Sequence, residues 1–261
     1  MQMKTDGLII RDLNVGENDR IVTILTREKG VLRASARGAR RVNSRLSTAT
    51  RLFCYSSFAL YKGRETYIID DAEPLEFFLG VDSSLEALSL AQYFAQLAGF
   101  LAPEEEPAEM LLRLLLNALH FIKNGTRPLP LIKAAFELRA LTLSGYMPDL
   151  VACRNCGLYE GGQMFFEPLG GTLLCGDCAG ELPETPLENR VALSKGVLAA
   201  MRHVVYADFE KLFAFTLPEP ALSDLARASE AYLLCRLERS FPTLDFYNAL
   251  PGRDSGTGQN G

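Results

Sequence analysis

The chain has 261 residues, 48% of them hydrophobic, and a formal net charge of −5. That apolar content supports one large or two modest cores and excludes wholesale disorder. The mild acidity excludes a uniformly basic coat, yet eight basic residues and one acid stand between Arg27 and Arg51, against 14 basic and 22 acidic in residues 81–261.

Residues 5–73 read as strands. Leu8-Ile9-Ile10 leads to a turn at Gly16-Glu17-Asn18-Asp19, and the β-branched run Ile21–Leu25 follows. After a turn at Glu28-Lys29-Gly30, Leu32, Ala34 and Ala36 alternate with Arg33, Ser35 and Arg37. A period of two puts the arginines on one face and small apolar groups on the other. Further strands are expected from Phe53 to Tyr61 and from Thr66 to Ile69, across a turn at Lys62-Gly63-Arg64. Five short strands within some eighty residues fit an OB-type barrel, and an SH3-like barrel would give nearly the same pattern.

From Asp82 the period becomes helical. Ser83 with Glu86 resembles a capping box. Helices are expected from this box onward, from Pro107 to Lys123, from Leu131 to Ser144, from Ser194 to Tyr206 and from Ser223 to Arg239. The apolar stretch Leu85–Ala102 carries Glu86, Gln92 and Gln96, which suits a buried helix better than a membrane span. Residues 181–189 read as a proline-containing connector. The tail 252–261 has no apolar residue and is expected to be disordered. The expected fold is therefore α+β and multidomain. An OB-type barrel occupies residues 1–80, and a helical domain residues 81–251 with a cysteine-bearing insertion at 150–180.

That insertion carries the strongest chemical signal. Cys153-x2-Cys156 and Cys175-x2-Cys178 each let one tight turn aim two thiolates at a common point. Two such turns make a tetrahedral site suited to one structural Zn²⁺, with no position left for water or substrate. Paired disulfides would need an oxidising compartment, whereas the N-terminus lacks the apolar core of a signal peptide, so a cytoplasmic location is expected. Cys54 and Cys235 lie in apolar stretches and read as buried small hydrophobes. His120, in an apolar helix, reads as packed.

Catalytic signatures are lacking. No His-x-Glu precedes a Pro-Cys-x-x-Cys, no Walker-type glycine loop is present, and Asp70-Asp71 on a strand should face opposite ways. The expectation is a protein without catalytic turnover.

Gly16-Glu17-Asn18-Asp19-Arg20, Leu25-Thr26-Arg27-Glu28-Lys29-Gly30 and Ala36-Arg37-Gly38-Ala39-Arg40-Arg41 with Ser44-Arg45, in that order before a helical body with a four-cysteine knuckle, resemble the RecO family of bacterial recombination mediators. The resemblance implies binding of single- and double-stranded DNA, annealing of complementary strands, and help in loading RecA onto DNA coated by single-strand-binding protein. It implies as partners RecR and the acidic C-terminal tail of single-strand-binding protein, with RecF and RecA engaged less directly. It also implies association with the bacterial nucleoid and an architectural zinc.

The arginines Arg33, Arg37, Arg40, Arg41, Arg45 and Arg51 are the candidates for phosphate contact. Phe53, Tyr55, Tyr61 and Tyr67 are expected in the barrel core or rim, with base stacking as the other use. Arg113, Lys133, Phe136 and Arg139 are the candidates for a cation-edged groove that takes the acidic tail, against the alternative of an ordinary amphipathic helix.

Overall fold

The computed structural model describes residues 2–64, 66–181 and 190–250. The chain divides into two compact units, Met1–Asn124 with Phe241–Gly261, and Gly125–Ser240.

In the first unit, β1 (Gln2–Val15), β2 (Asp19–Thr26), β3 (Gly30–Ala36), β4 (Cys54–Lys62) and β5 (Tyr67–Phe77) close a barrel in the order β1-β2-β3-β5-β4, with β4 returning to β1. The pairs are antiparallel except β3 with β5, which run parallel through Ala34–Tyr67 and Ser35–Ile68 only. The one-turn helix α1 (Leu46–Ala49) lies between β3 and β4. This strand order with its parallel seam is that of an OB barrel and decides against the SH3-like alternative.

The period of two does what β3 promised. Leu32, Ala34 and Ala36 are buried beside Ile9, Val22, Ile24, Phe58 and Leu60, while Arg33 is exposed. Each large apolar side chain buried here contributes about 1.5–3 kcal/mol. Gly7 is required by close approach, since a Cβ there would stand 2.6 Å from Ile24 Cγ2. β5 runs past the expected end at Ile69. Leu60 pairs with Ile69 and Ala59 with Asp71, so Asp70 is the extra residue of a bulge and both aspartates are exposed. The expectation that they face opposite ways is thereby corrected.

Helix α2 (Leu85–Leu101) is capped by Ser84, whose hydroxyl accepts from Ala87 N at 3.0 Å; the cap falls one residue beyond Ser83. Helix α3 (Glu109–Asn124) ends at Gly125, with φ +60°. His120 is exposed on it and bonds Asn124 Nδ2 at 3.0 Å, so it is not packed inside.

In the second unit, α4 (Leu129–Leu143) is buried along Leu131–Leu141 and packs against α7 (Ala221–Leu237) and α6 (Lys195–Tyr206). Ser194 caps α6 as expected, accepting from Val197 N at 3.3 Å. Helix α7 begins at Ala221 and not at Ser223. It leaves Cys235 exposed, whereas Cys54 is buried in the barrel. A three-stranded sheet in the order β7-β6-β8, built from β6 (Met164–Glu167), β7 (Thr172–Cys175) and β8 (Val191–Leu193), holds the cysteine segment with helix α5 (Gly176–Glu181). Helix α8 (Pro242–Asn248) belongs to the first unit, where Phe241 meets Tyr93 edge-on at 6.1 Å. Connector residues 182–189 and the tail from 251 lie outside the described residues. Among the described residues no helix is long and apolar enough to cross a membrane.

Candidate nucleic-acid interface and metal centre

The basic segment begins where β3 ends. Gly38, at φ +67°, reverses the chain, and its N–H donates to Asp19 Oδ1 at 2.8 Å. Arg40 N donates to Asn18 O at 2.9 Å, and Arg40 Nη1 to Gly16 O at 3.0 Å. The Gly16–Asp19 turn therefore serves as an anchor for the arginine loop, and the buried Ala39 pins the loop to the barrel. Held this way, Arg37, Arg40, Arg41, Arg45 and Arg51 are all exposed, as is Arg33 on the outer face of β3. Arg37, Gly38, Arg41, Asn43 and Ser44 surround a hollow of about 340 Å³.

Arg20 was missed at the sequence level. It donates to Thr50 Oγ1 at 3.0 Å and to Ser47 O at 3.3 Å, so it fastens α1 to β2. Its pKa is lowered, first by burial and then by Arg51 and Arg40, although Asp12 works the other way. Arg40 and Arg51 thus lie close enough for their positive charges to bear on Arg20. Of the aromatics, Phe53 is buried, Tyr55 and Tyr67 are half-buried, and Tyr61 is exposed.

In the second unit the four cysteines converge, with all their Sγ atoms within 4.8 Å of one another and Cys156 Sγ 3.6 Å from Cys175 Sγ. Gly157, at φ +74°, lets its N–H return to Cys153 O at 2.9 Å and closes the first turn. Cys175 ends β7 and Cys178 lies in α5, so a strand-to-helix junction forms the second. Cys153, Cys175 and Cys178 are buried and Cys156 is exposed.

The thiols titrate apart. Burial pushes Cys153 up, but the N–H groups of Cys156, Cys175 and Asn155 outweigh it and leave the thiol at about 6. Cys178 accepts from Asn155 Nδ2 at 3.3 Å, yet its neighbouring sulfurs push it up to about 12. Four sulfurs this close cannot all ionise unaided, and a central cation lets them. The cluster could hold one metal ion through four sulfur donors.

Supports unseen in the sequence surround the cluster. Buried Glu167 on β6 receives Arg154, from between the first two cysteines, at 3.1 Å and Arg190 at 3.7 Å. Arg190 donates in turn to Ala179 O at 2.6 Å, beside Cys178, so one carboxylate joins both cysteine turns. Arg202 of α6 donates to the carbonyls of Leu150, Val151 and Tyr159 and lies over the Tyr159 ring at 4.1 Å. Nothing in the spacing of these residues announces that role; their partners stand 11 or more residues away in sequence.

The expected tail-binding groove is not formed by its candidates. Phe136 is fully buried. Lys133 Nζ is buried between Glu137 at 2.8 Å and Glu230 at 2.6 Å. Arg139, 7% exposed, donates to Val205 O at 3.1 Å and to Ala207 O and lies over the Phe209 ring. Arg113 is exposed on α3, in the other unit. The cations on α4 are not its wet side, because α4 is enclosed by α6 and α7 and its charges are satisfied internally.

Residues 1–78 match the family model described as Recombination protein O N terminal, and residues 82–245 match Recombination protein O C terminal. The chain is 35% identical to the DNA repair protein RecO of Acetivibrio thermocellus over 95% of this chain and 97% of that one. It is 34% identical to RecO of Symbiobacterium thermophilum, over 94% and 96%. With RecO of Desulforamulus reducens the identity is 31%, over 98% of each. An OB barrel with a pinned arginine loop, a helical unit with a four-cysteine centre, and likeness along nearly the whole length have one reading: the chain belongs to the RecO family of DNA repair proteins.

Proposed function

We propose that this protein is a DNA-binding recombination mediator that works without catalytic turnover. The observation that carries the reading is the arginine loop. Arg37, Arg40, Arg41 and Arg45 are exposed on a segment anchored at both Asp19 and Asn18, with Arg33 and Arg51 beside it. Arginines held this way neutralise phosphates and release counterions, so they bind single strands and duplex without reading sequence. Neutralising two strands on one surface lowers their mutual repulsion, and complementary strands can then pair.

The four-cysteine centre holds one Zn²⁺, which joins the two turns and keeps the knuckle shaped; all four donors are protein sulfurs, so the ion is architectural. The protein acts in the cytoplasm, at the nucleoid. It engages RecR and the acidic tail of single-strand-binding protein, and through them helps load RecA, with RecF a less direct associate. The tail's seat lies elsewhere than the buried Lys133, Phe136 and Arg139.

A strand-annealing assay with and without single-strand-binding protein tests the reading. Acceleration of annealing without nucleotide hydrolysis, sustained on coated strands, is the expected result. No acceleration on bare strands at low salt would contradict it.

A further inference from the structure

We propose that Cys156 is the point at which a hydroperoxide enters the four-cysteine centre, and that its oxidation joins Cys156 to Cys175 as a disulfide and releases the metal. This step rests on the zinc reading above and gives that centre a second, reversible state.

The four sulfurs are not equally guarded. Cys153, Cys175 and Cys178 are buried, whereas Cys156 is exposed. The chain around it, from Arg154 to Glu160, is exposed as well. A Cβ on Gly157 would meet nothing within 4 Å, so the approach to Cys156 is open. An oxidant arriving from solvent therefore reaches this sulfur first.

The partner for a second step is already in place. Cys156 Sγ lies 3.6 Å from Cys175 Sγ, and a disulfide needs about 2.05 Å, so the pair has only about 1.5 Å to close. The other two sulfurs are engaged elsewhere. Cys153 Sγ accepts the N–H groups of Cys156, Cys175 and Asn155, and Cys178 Sγ accepts Asn155 Nδ2 at 3.3 Å. The two turns are also held by bonds that do not pass through the metal. Arg154 N donates at 2.9 Å to the carbonyl of Leu173, on the strand that ends in Cys175. Gly176 N donates to Gln163 O at 2.9 Å, and Glu167 joins Arg154 to Arg190. Cys156 and Cys175 thus stay within reach of each other when the ion leaves.

The chemistry takes two displacements. The Cys156 thiolate attacks one oxygen of hydrogen peroxide; an S–O bond forms, the O–O bond breaks, and hydroxide departs. The Cys175 thiolate then attacks Cys156 Sγ; the S–S bond forms, the S–O bond breaks, and a second hydroxide departs. Two thiolates have given two electrons to the O–O bond, and the products are one disulfide and two hydroxides. Only Cys153 and Cys178 then remain as donors, too few to retain Zn²⁺. The new bond ties the same two turns that the ion had joined, so the knuckle stays closed and a thiol reductant can reverse the change.

The test treats the zinc-loaded full chain with excess hydrogen peroxide. A chromogenic chelator follows zinc release, and mass spectrometry of the unreduced digest maps the disulfides. One zinc should leave for each Cys156–Cys175 bond formed, and dithiothreitol with added Zn²⁺ should restore both thiols and metal. Cys156→His keeps a metal donor but offers the oxidant no exposed sulfur, and should release zinc about tenfold more slowly. Metal retained under peroxide, a disulfide between any other pair, or release from the variant at the wild-type rate would overturn the switch. The wild-type map decides alone if the variant takes up no metal. The two readings fail separately. Wild-type protein purified without chelator that carries no zinc refutes the zinc reading and the switch with it. Wild-type protein that carries zinc and keeps it under peroxide refutes the switch alone.

Discussion

Replacing Lys133 by methionine tests whether this cation is a structural one. The Lys133 side chain is 2% exposed, lies 2.8 Å from the fully buried Glu137, and lies 2.6 Å from Glu230. Methionine fills the volume but leaves the two carboxylates without their cation. Breaking a buried pair in this way costs about 3–5 kcal/mol. Two features favour the lower end. Glu230 is 26% exposed and can turn to water, and Glu137 keeps the bond donated by Ser229 Oγ at 2.6 Å. The expected loss is therefore about 3 kcal/mol, a large part of a total that is usually 5–15 kcal/mol. Urea unfolding followed by circular dichroism reads it directly, and replacing Glu137 by leucine as well should recover most of it. The charge also has a pH signature. Burial alone would lower the Lys133 pKa, but Glu137 and Glu230 raise it above 10.5. A cation with a raised folded pKa stabilises fully below its unfolded value and loses that contribution as pH climbs through the folded one. Stability should thus fall as pH rises beyond 10.5 in wild type, and this part of the fall should vanish in Lys133→Met. A variant within about 1 kcal/mol of wild type would refute the reasoning and return Lys133 to the candidates for tail binding.

Two further outcomes concern the metal centre. Purified protein should carry one zinc per chain, and Cys175→Ser should lose it and loosen the knuckle while the barrel, with its own core, stays folded. Elemental analysis that finds equal zinc in both proteins would dismiss the site. Glu167→Gln keeps the shape of the side chain that joins Arg154 to Arg190 but removes its charge, and it should weaken zinc binding about tenfold in competition with a chelator. Unchanged affinity would reduce Glu167 to a packing residue.

Much of the fold could be read where periodicity was local. The alternation of Leu32, Ala34 and Ala36 with Arg33 and Ser35 placed one barrel face inward, and Gly125, Gly145 and Ser194 marked helix ends. The cysteine spacing placed four sulfurs together because each pair closes over a single turn. What escaped depends on distant partners. Lys133 and Arg139 look like surface cations in sequence. They are enclosed because α7 brings Glu230 to one, and the end of α6 brings the Val205 and Ala207 carbonyls to the other. The bulge at Asp70 defeated a strict period of two, since one extra residue turns two neighbours outward. Strands β6, β7 and β8 were missed because each has only three or four residues, too few to show a period.

The central claim, that the arginine loop holds DNA by its phosphates, is tested most directly by the salt dependence of binding. Wild type and the Arg37→Ala/Arg40→Ala/Arg41→Ala variant are titrated with a single strand from low to moderate salt. These side chains are exposed, so the variant should stay folded. Each phosphate contact contributes about 0.7 to the slope of log affinity against log salt on single strands and about 0.9 on duplex. The account predicts weaker binding to both forms and a single-strand slope shallower by about 2. A folded variant with the wild-type slope would place the DNA on another surface and contradict the account.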